Sequence, residues 1–261
     1  MRIRRLGWSG IEVEQGGETL LIDYVLDTSM LPLRDDRQPF PRASEPASAV
    51  AGILTHLHAD HADPVALAAA LRDGAPVFRP EPVSGSGSDL ELTAHAEAAF
   101  GKVALDARVT DAWTAHEAGS FTLHAVPAVD GFGDPQLSWI VEGGGKRIIH
   151  CGDTLLHSYW WRIARRFGPI DHAFLPINGA TVDFPFLQPP RDQEAVMTPE
   201  EAAKAARMLG ARAVTPIHYG ALHRPPAYVE TDDPVGRLRV AGRSLGLTIE
   251  VREPGEWFEV R

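Results

Sequence analysis

The residues best suited to chemistry stand in one short run, Thr55-His56-Leu57-His58-Ala59-Asp60-His61, directly after an apolar segment. Imidazole nitrogens and carboxylate oxygens are ligands for divalent ions such as zinc. In an extended segment His56 and His58 point to one side, and a turn after His58 brings Asp60 and His61 to a second point close by. A single histidine is usually a solvated loop residue, but this spacing of four ligands predicts two neighbouring metal ions.

The pattern H-x-H-x-D-H after an apolar strand resembles the signature of the metallo-β-lactamase superfamily. Two later segments extend the resemblance over nearly the whole chain: the G-D-T turn at Gly152-Asp153-Thr154, and His218-Tyr219-Gly220 after another apolar run. The resemblance implies a four-layer αββα sandwich, a mixed α/β (α+β) fold with the metals at one edge of its two sheets. It also implies that Asp153 bridges the metals and that His218 is a further ligand.

One position departs from the family pattern. The family usually supplies another histidine to the first metal from a strand end before the bridging aspartate, but residues 125–131 contain none, and Asp130 is the best substitute by position. As a ligand, Asp130 would favour harder ions such as manganese or iron over zinc, or weaken the first site so that only one ion binds tightly. The alternative interpretation is a turn residue before Gly131. His124 is expected to point with Val126 and away from Asp130.

The predicted centre therefore holds two divalent ions, zinc in the first place, with manganese or iron as alternatives. The predicted ligands of the first ion are His56, His58 and Asp130, and those of the second are Asp60, His61 and His218. Asp153 is the predicted bridge between the two ions. A water molecule shared by two cations loses its proton near neutral pH and becomes the attacking group. Asp60 and Asp153 are the predicted catalytic residues, and the proton for the leaving group comes from Asp60 or a nearby histidine.

Several other residues, most of them close to these ligands in sequence, are predicted not to bind the metal. Asp23 ends the first hairpin and is expected to be structural, whereas Tyr219, beside His218, is a candidate hydrogen-bond donor to substrate. His157 and His223 either line the pocket or are ordinary surface or core residues. Cys151 is expected to be a packed strand residue and not a nucleophile.

Within the superfamily, residues 175–179, 197–202 and 216–220 look similar to the branch that contains ascorbate-6-phosphate lactonase and the lipid phosphodiesterases. This resemblance implies hydrolysis of an ester, lactone or phosphodiester bond in a small-molecule substrate. One alternative is a degenerate member that binds metal or ligand without turnover. Another is a di-iron oxidoreductase, which we expect less because such a protein normally needs a flavin partner and the chain shows no flavin-binding extension.

The elements that must position these residues follow from the hydrophobic pattern. Predicted strands cover residues 3–6, 11–14, 19–23, 49–54, 121–126, 137–141, 147–150, 173–176, 213–217, 247–251 and 257–260. Predicted helices cover residues 64–72, 89–100, 158–167, 199–209 and 233–245, with Thr198 and Glu201 as a capping box. Trp160 and Trp161 are expected to pack a helix on a sheet. The loop at residues 24–46 is a candidate lid, and residues 80–88 a mobile connection.

The composition favours one globular domain over residues 1–261. No apolar run approaches the length of a membrane span. A formal net charge of −10 disfavours nucleic acid as a partner, and the single cysteine excludes an internal disulfide and fits a reducing, cytoplasmic location. The oligomeric state stays open.

Overall fold

Two seven-stranded sheets form the framework of the computed structural model, which describes residues 1–29, 31, 39–186 and 193–261. The first sheet contains β1 (Arg2–Arg5), β2 (Ile11–Gln15), β3 (Glu18–Ile22), β4 (Ala51–Ile53), β5 (Pro76–Arg79), β6 (Asp106–Val109) and β16 (Phe258–Glu259). The second contains β7 (Ala115–Ala118), β8 (Phe121–Pro127), β9 (Leu137–Gly143), β10 (Lys146–His150), β11 (His172–Pro176), β13 (Ala213–Ile217) and β15 (Thr248–Ile249). A small third sheet pairs β12 (Thr181–Val182) with β14 (Tyr228–Val229).

Both large sheets change from antiparallel to parallel pairing across their width. The first has the order β16-β1-β2-β3-β4-β5-β6 and is parallel from β3 to β6, and the second has the order β15-β13-β11-β10-β9-β8-β7 and is parallel from β10 to β15. Parallel neighbours end at the same edge of a sheet, so the segments after β3 and β4, and those after β10, β11 and β13, lie at shared edges.

Alternating side chains divide the core into layers, as the two-residue period of a strand requires. On β9 and β10, Trp139 and Ile148 face the first sheet, while Ile140 and Ile149 face the helices. The helices are α1 (Pro64–Ala70) and α2 (Ala94–Phe100) on the first sheet, α3 (Tyr159–Phe167) and α4 (Pro199–Leu209) on the second, and α5 (Pro234–Ser244) beside α4. This order of helix, sheet, sheet and helix confirms the predicted αββα class.

Two hydrogen bonds, one from a side chain and one from the backbone, connect the two sheets at the start of the histidine run. The indole Nε1 of Trp139 on β9 donates to the carbonyl oxygen of Leu54 at 2.9 Å. The amide of Leu137 donates to the carbonyl oxygen of Thr55 at 2.8 Å. The segment that follows β4 in the first sheet is therefore bonded directly to a strand of the second sheet.

Some predicted elements were wrong or incomplete. Strands β5, β6, β7 and the β12–β14 pair were not predicted; β6 is exposed at every residue, so it has no apolar alternation to detect. The predicted helix at 89–100 is a 3-10 turn, Gly87–Leu90, followed by α2. Trp160 packs in the core as predicted, but Trp161 is 50% exposed and does not. The capping box of Thr198 and Glu201 starts α4 as predicted.

The loop predicted at 24–46 lies partly outside the described residues, at 30 and 32–38. Its described part contains no helix or strand, and Ser29 and Leu31 line a cavity described below. Among the described residues, no helix has both the length and the apolar character to cross a membrane.

Candidate metal centre

Every predicted ligand lies in a segment that follows a strand. The run from His56 to His61 follows β4, Asp130 follows β8, Asp153 follows β10, and His218 is the residue directly after β13. The backbone of His218 has a φ of +56°, and its amide donates to the carbonyl oxygen of Trp8 at 3.0 Å. Strand ends from both sheets therefore bring these side chains to one place.

The seven predicted ligands form two groups that share one member. His56, His58, Asp130 and Asp153 make the first group, and Asp60, His61, Asp153 and His218 the second. Within each group the potential ligand atoms all lie within 4.8 Å of one another. This is the arrangement expected of side chains that hold a pair of neighbouring cations.

Asp153 faces both groups with different oxygens. Its Oδ1 lies 3.1 Å from Nε2 of His56 in the first group. Its Oδ2 lies 3.5 Å from Nε2 of His218 and 3.8 Å from Nε2 of His61 in the second. One carboxylate thus stands between two sets of imidazoles, the position of a bridging ligand.

Hydrogen bonds determine which imidazole nitrogens remain for a cation. Asp23 Oδ2 accepts from Nδ1 of His61 at 2.8 Å and from the Thr55 hydroxyl at 2.7 Å. Because that hydroxyl donates its only proton to Asp23, it accepts from Nδ1 of His56 at 3.0 Å. Nε2 of His58 contacts Asp134 Oδ2 at 2.9 Å, which leaves Nδ1 of His58 as its free nitrogen. Such supporting bonds orient histidines for metal binding.

Several buried atoms of the two groups have no hydrogen-bond partner among the described residues. They are Nε2 of His56 and His61, both ring nitrogens of His218, and Oδ1 of Asp153. Unpaired buried polar atoms are costly, and cations would pair with Oδ1 of Asp153 and with one nitrogen of each of these histidines. The donor set therefore fits divalent metal ions.

In this buried site, burial and the neighbouring carboxylates shift the pKa values of the histidines in opposite directions. Burial lowers the pKa of His58, but the carboxylates of Asp130 and Asp134 outweigh it and raise this pKa to about 9. In the same way Asp60 and Asp153 outweigh burial at His61 and raise its pKa to about 10. Burial raises the pKa of both Asp130 and Asp153 to about 6. The carboxylates thus favour the protonated, positively charged forms of His58 and His61, and bound cations would neutralise the same carboxylates.

Asp130 fits both interpretations of its role, as a turn residue and as a ligand. Oδ2 accepts hydrogen bonds from the amides of Phe132 at 2.6 Å and Asp134 at 3.1 Å, as in a turn. The same side chain belongs to the first ligand group. The turn needs glycine at 131, since a Cβ there would lie 2.0 Å from the carbonyl oxygen of Ala195.

Sequence patterns did not reveal three supporting residues. Trp8 donates from Nε1 to Asp60 Oδ2 at 2.9 Å, and its ring lies 4.1 Å from that of His218. Thr55 contacts the ring of His56, and Asp134 contacts the ring of His58, as described above. Thr55 had a signal, since it directly precedes the first ligand, but Trp8 lies far away in sequence with no spacing that links it to the run.

The other candidates lie outside the ligand groups. The hydroxyl of Tyr219 accepts from Arg5 at 3.1 Å, and His157 stacks on Trp160 with ring centroids 4.5 Å apart. Nδ1 of His223 accepts from a backbone amide at 3.3 Å. Cys151 is fully buried, and burial raises the pKa of its thiol, which makes it a poor nucleophile.

A cavity of about 430 Å³ opens beside the two groups. His58, Asp60, Asp153 and His218 form its floor, and aromatic and aliphatic side chains form much of its wall. Its volume is in the range of small-molecule sites.

Known proteins share this fold. The β-lactamase superfamily domain matches residues 18–219. A Rubrobacter xylanophilus protein named UPF0173 metal-dependent hydrolase is 30% identical, over 92% of this chain and 88% of its own. Igni18, a metallo hydrolase from Ignicoccus hospitalis, superposes with a TM-score of 0.68 at 20% identity, over 100% of this chain and 99% of its own. CmlA, a diiron β-hydroxylase from Streptomyces venezuelae, gives 0.70 at 18%, over 99% of this chain and 54% of its own. This chain belongs to the metallo-β-lactamase superfamily.

Proposed function

We propose that the protein is a metal-dependent hydrolase that cleaves an ester, lactone or phosphodiester bond in a small molecule. The observation that carries this proposal is the placement of Asp153, whose two oxygens face two separate groups of unpaired imidazole nitrogens. Relatives from Rubrobacter xylanophilus and Thermococcus kodakarensis are named metal-dependent hydrolases, which supports the reaction class. The resemblance to the lactonase and phosphodiesterase branch supports the choice of bonds.

The residues that would hold the two ions are the two groups described above. When bound, divalent ions lower the pKa of water and polarise a carbonyl or phosphoryl oxygen. His56, His58 and Asp130 would hold one ion, Asp60, His61 and His218 would hold the other, and Asp153 would belong to both groups. We expect zinc, because imidazole is the commonest group among the proposed ligands. Manganese and iron are the alternatives, because the carboxylate of Asp130 favours harder ions.

Asp60 is the side chain that would handle the proton of the attacking water. Burial would raise the pKa of Asp60, but the neighbouring imidazoles of His61 and His218 lower it, so the carboxylate is ionised. Trp8 fixes its orientation through Oδ2. In hydrolysis the oxygen of water bonds to the acyl or phosphoryl centre, the bond to the leaving oxygen breaks, and one water proton reaches the leaving alcohol. Asp60 can carry that proton.

The test combines elemental analysis with turnover of 4-nitrophenyl esters, lactones and bis(4-nitrophenyl) phosphate. We expect two ions per chain and hydrolysis that is lost with a chelator and restored with zinc or manganese. His58→Ala should lower both metal content and turnover, while His223→Ala, which changes a histidine outside the ligand groups, should lower neither. Metal binding without turnover of any substrate would instead indicate a binding protein. Iron with a visible absorption band and redox activity would indicate an oxidoreductase.

A further inference from the structure

Tyr228 lines the cavity of the proposed centre and carries a neutral hydrogen-bond donor. Its side chain is buried and lines the same cavity as Asp60, Asp153 and His218. Its hydroxyl accepts a hydrogen bond of 2.7 Å from Nδ2 of Asn178, a fully buried residue two positions after β11. An amide NH2 group can only donate, so this bond leaves the phenolic proton of Tyr228 available to an acceptor in the cavity.

Tyr219, the tyrosine suggested by its position beside His218, does not occupy this place. Its hydroxyl accepts from Nη1 of Arg5, whose guanidinium also lies 4.9 Å from the centre of its ring. Tyr219 does not line the cavity among the described residues. Tyr228, which lies on the unpredicted strand β14, is the tyrosine that lines the cavity among the described residues.

The wall beside Tyr228 is apolar. Phe184 and Phe186 stack with ring centroids 5.4 Å apart, and Leu222 and Val196 continue the same surface. These side chains offer no hydrogen bond and would gain about 25 cal/mol for each Å² of apolar ligand surface that they cover. The cavity therefore has room for an apolar substituent beside the ligand groups.

The charge balance of the site favours a neutral substrate. Two divalent ions would bring four positive charges, against five carboxylates in the ligand groups or bonded to their histidines: Asp23, Asp60, Asp130, Asp134 and Asp153. In the described part of the cavity the only Lys or Arg side chain is Arg224, which lies at an exposed position. Among the described residues, a phosphodiester anion would thus meet no surplus positive charge beside the ligands.

We propose that the substrate is a neutral ester or lactone with an apolar substituent, whose acyl oxygen accepts a hydrogen bond from the Tyr228 hydroxyl. This inference rests on the proposed hydrolase function and narrows it. As water adds to the acyl carbon, negative charge develops on the acyl oxygen, and Tyr228 donates to it while keeping its own proton. The ester C–O bond then breaks, one proton of the water goes to the leaving alkoxide and the other to solvent, giving a carboxylate and an alcohol, or a hydroxy carboxylate from a lactone.

The first test uses the metal-loaded full chain with three substrates: 4-nitrophenyl acetate, 4-nitrophenyl hexanoate and bis(4-nitrophenyl) phosphate. We expect kcat/KM to rise about 10-fold from acetate to hexanoate, because the longer acyl chain covers the phenylalanine wall. Phe184→Ala should reduce this preference towards unity. A kcat/KM for the phosphodiester above that for hexanoate, or no preference for the longer chain, would overturn the inference and leave the hydrolase proposal standing.

The second test separates Tyr228 from Tyr219. Tyr228→Phe should lower kcat for hexanoate about 100-fold with unchanged metal content and melting temperature, whereas the matched variant Tyr219→Phe should change kcat less than about 3-fold. Binding gives a readout that needs no turnover: hexanamide, a neutral analogue, should bind Tyr228→Phe about 10-fold more weakly in calorimetric titration. Equal affinity in the wild type and Tyr228→Phe overturns the inference. If no substrate is turned over, the hydrolase proposal fails, and this titration still decides the role of Tyr228.

Discussion

The indole of Trp8 is bonded to the carboxylate of Asp60, with Nε1 2.9 Å from Oδ2. The two residues lie 52 positions apart, and Trp8 also contacts His218 through its ring and its carbonyl oxygen. A buried tryptophan from the start of the chain thus orients two of the proposed ligands of the second ion.

Removing this bond should weaken the second metal position. Trp8→Phe keeps an aromatic ring beside His218 but loses the N–H that orients Asp60, so we expect affinity for the second ion to fall about 10-fold. Competition with a chromogenic chelator measures it. Trp161→Phe is the matched control, since Trp161 is half exposed on α3 and belongs to neither ligand group nor the cavity lining among the described residues. Equal affinities in the two variants would show that the Trp8 bond has no influence on the metal.

Asp130 should be needed for the first ion. Asp130→Asn keeps a side-chain oxygen for the amides of Phe132 and Asp134 but removes the charge, and Asp130→Ala removes both. We expect both variants to lose one of two ions in elemental analysis, with the melting temperature of the metal-free protein lowered mainly in Asp130→Ala. Full metal content in Asp130→Ala would refute its assignment as a ligand.

Metal binding should release protons and strengthen as the pH rises. In the metal-free protein His58 and His61, with pKa values of about 9 and 10, are protonated at pH 7. Each must lose a proton to bind a cation, so we expect about two protons to be released per chain at pH 7. Affinity should therefore increase between pH 6 and pH 9. Calorimetric titration in buffers of different ionisation enthalpy counts these protons, and a buffer-independent heat would contradict the prediction.

His172 should make the stability of the fold depend on pH independently of the metal. It is buried between β13 and Phe258, its Nε2 contacts the Thr215 hydroxyl at 2.8 Å, and burial lowers its pKa to about 4. An unfolded histidine has a pKa near 6.5, so below this pH the unfolded chain binds more protons. Stability is complete above pH 6.5 and decreases as the pH falls, by about 3 kcal/mol at pH 4.

Urea unfolding of the chelator-treated protein between pH 4 and pH 7 measures this effect. His172→Gln keeps a hydrogen-bond donor for Thr215 but cannot titrate in this range. We expect its free energy of unfolding to decrease less than that of the wild type on acidification. Parallel curves for the two proteins would show that another group controls the acid sensitivity.

The convergence of the proposed metal ligands was the easiest feature of the molecule to predict, for a physical reason. His56, His58 and Asp153 each follow an apolar strand that is recognisable by itself, and such strand ends meet at one edge of a sheet. The αββα class was predicted from the resemblance of these residues to the metallo-β-lactamase signature. Strands β5 to β7 were missed because they are short or have no apolar alternation.

Contacts between distant loops could not be predicted in this way. Asp134 reaches His58, and Tyr228 reaches the cavity, only because of how the loop after β8 and the β12–β14 pair fold over the site. A contact between segments that are distant in sequence produces no hydrophobic periodicity in either segment. The same limit explains why Tyr219 was chosen in place of Tyr228: proximity along the chain to His218 does not determine where a phenol points.

The bonds from Trp139 to Leu54 and from Leu137 to Thr55 join the ligand segment of one sheet to a strand of the other. Ions held by ligands from both sheets would therefore bind only the assembled sandwich, and the unfolded chain would offer them no preformed site. Thermodynamic linkage then makes apparent stability a function of free metal concentration, with a gain of about 4 kcal/mol at 1,000 times the dissociation constant. A cell that limits the metal would shorten the lifetime of the protein as well as its activity.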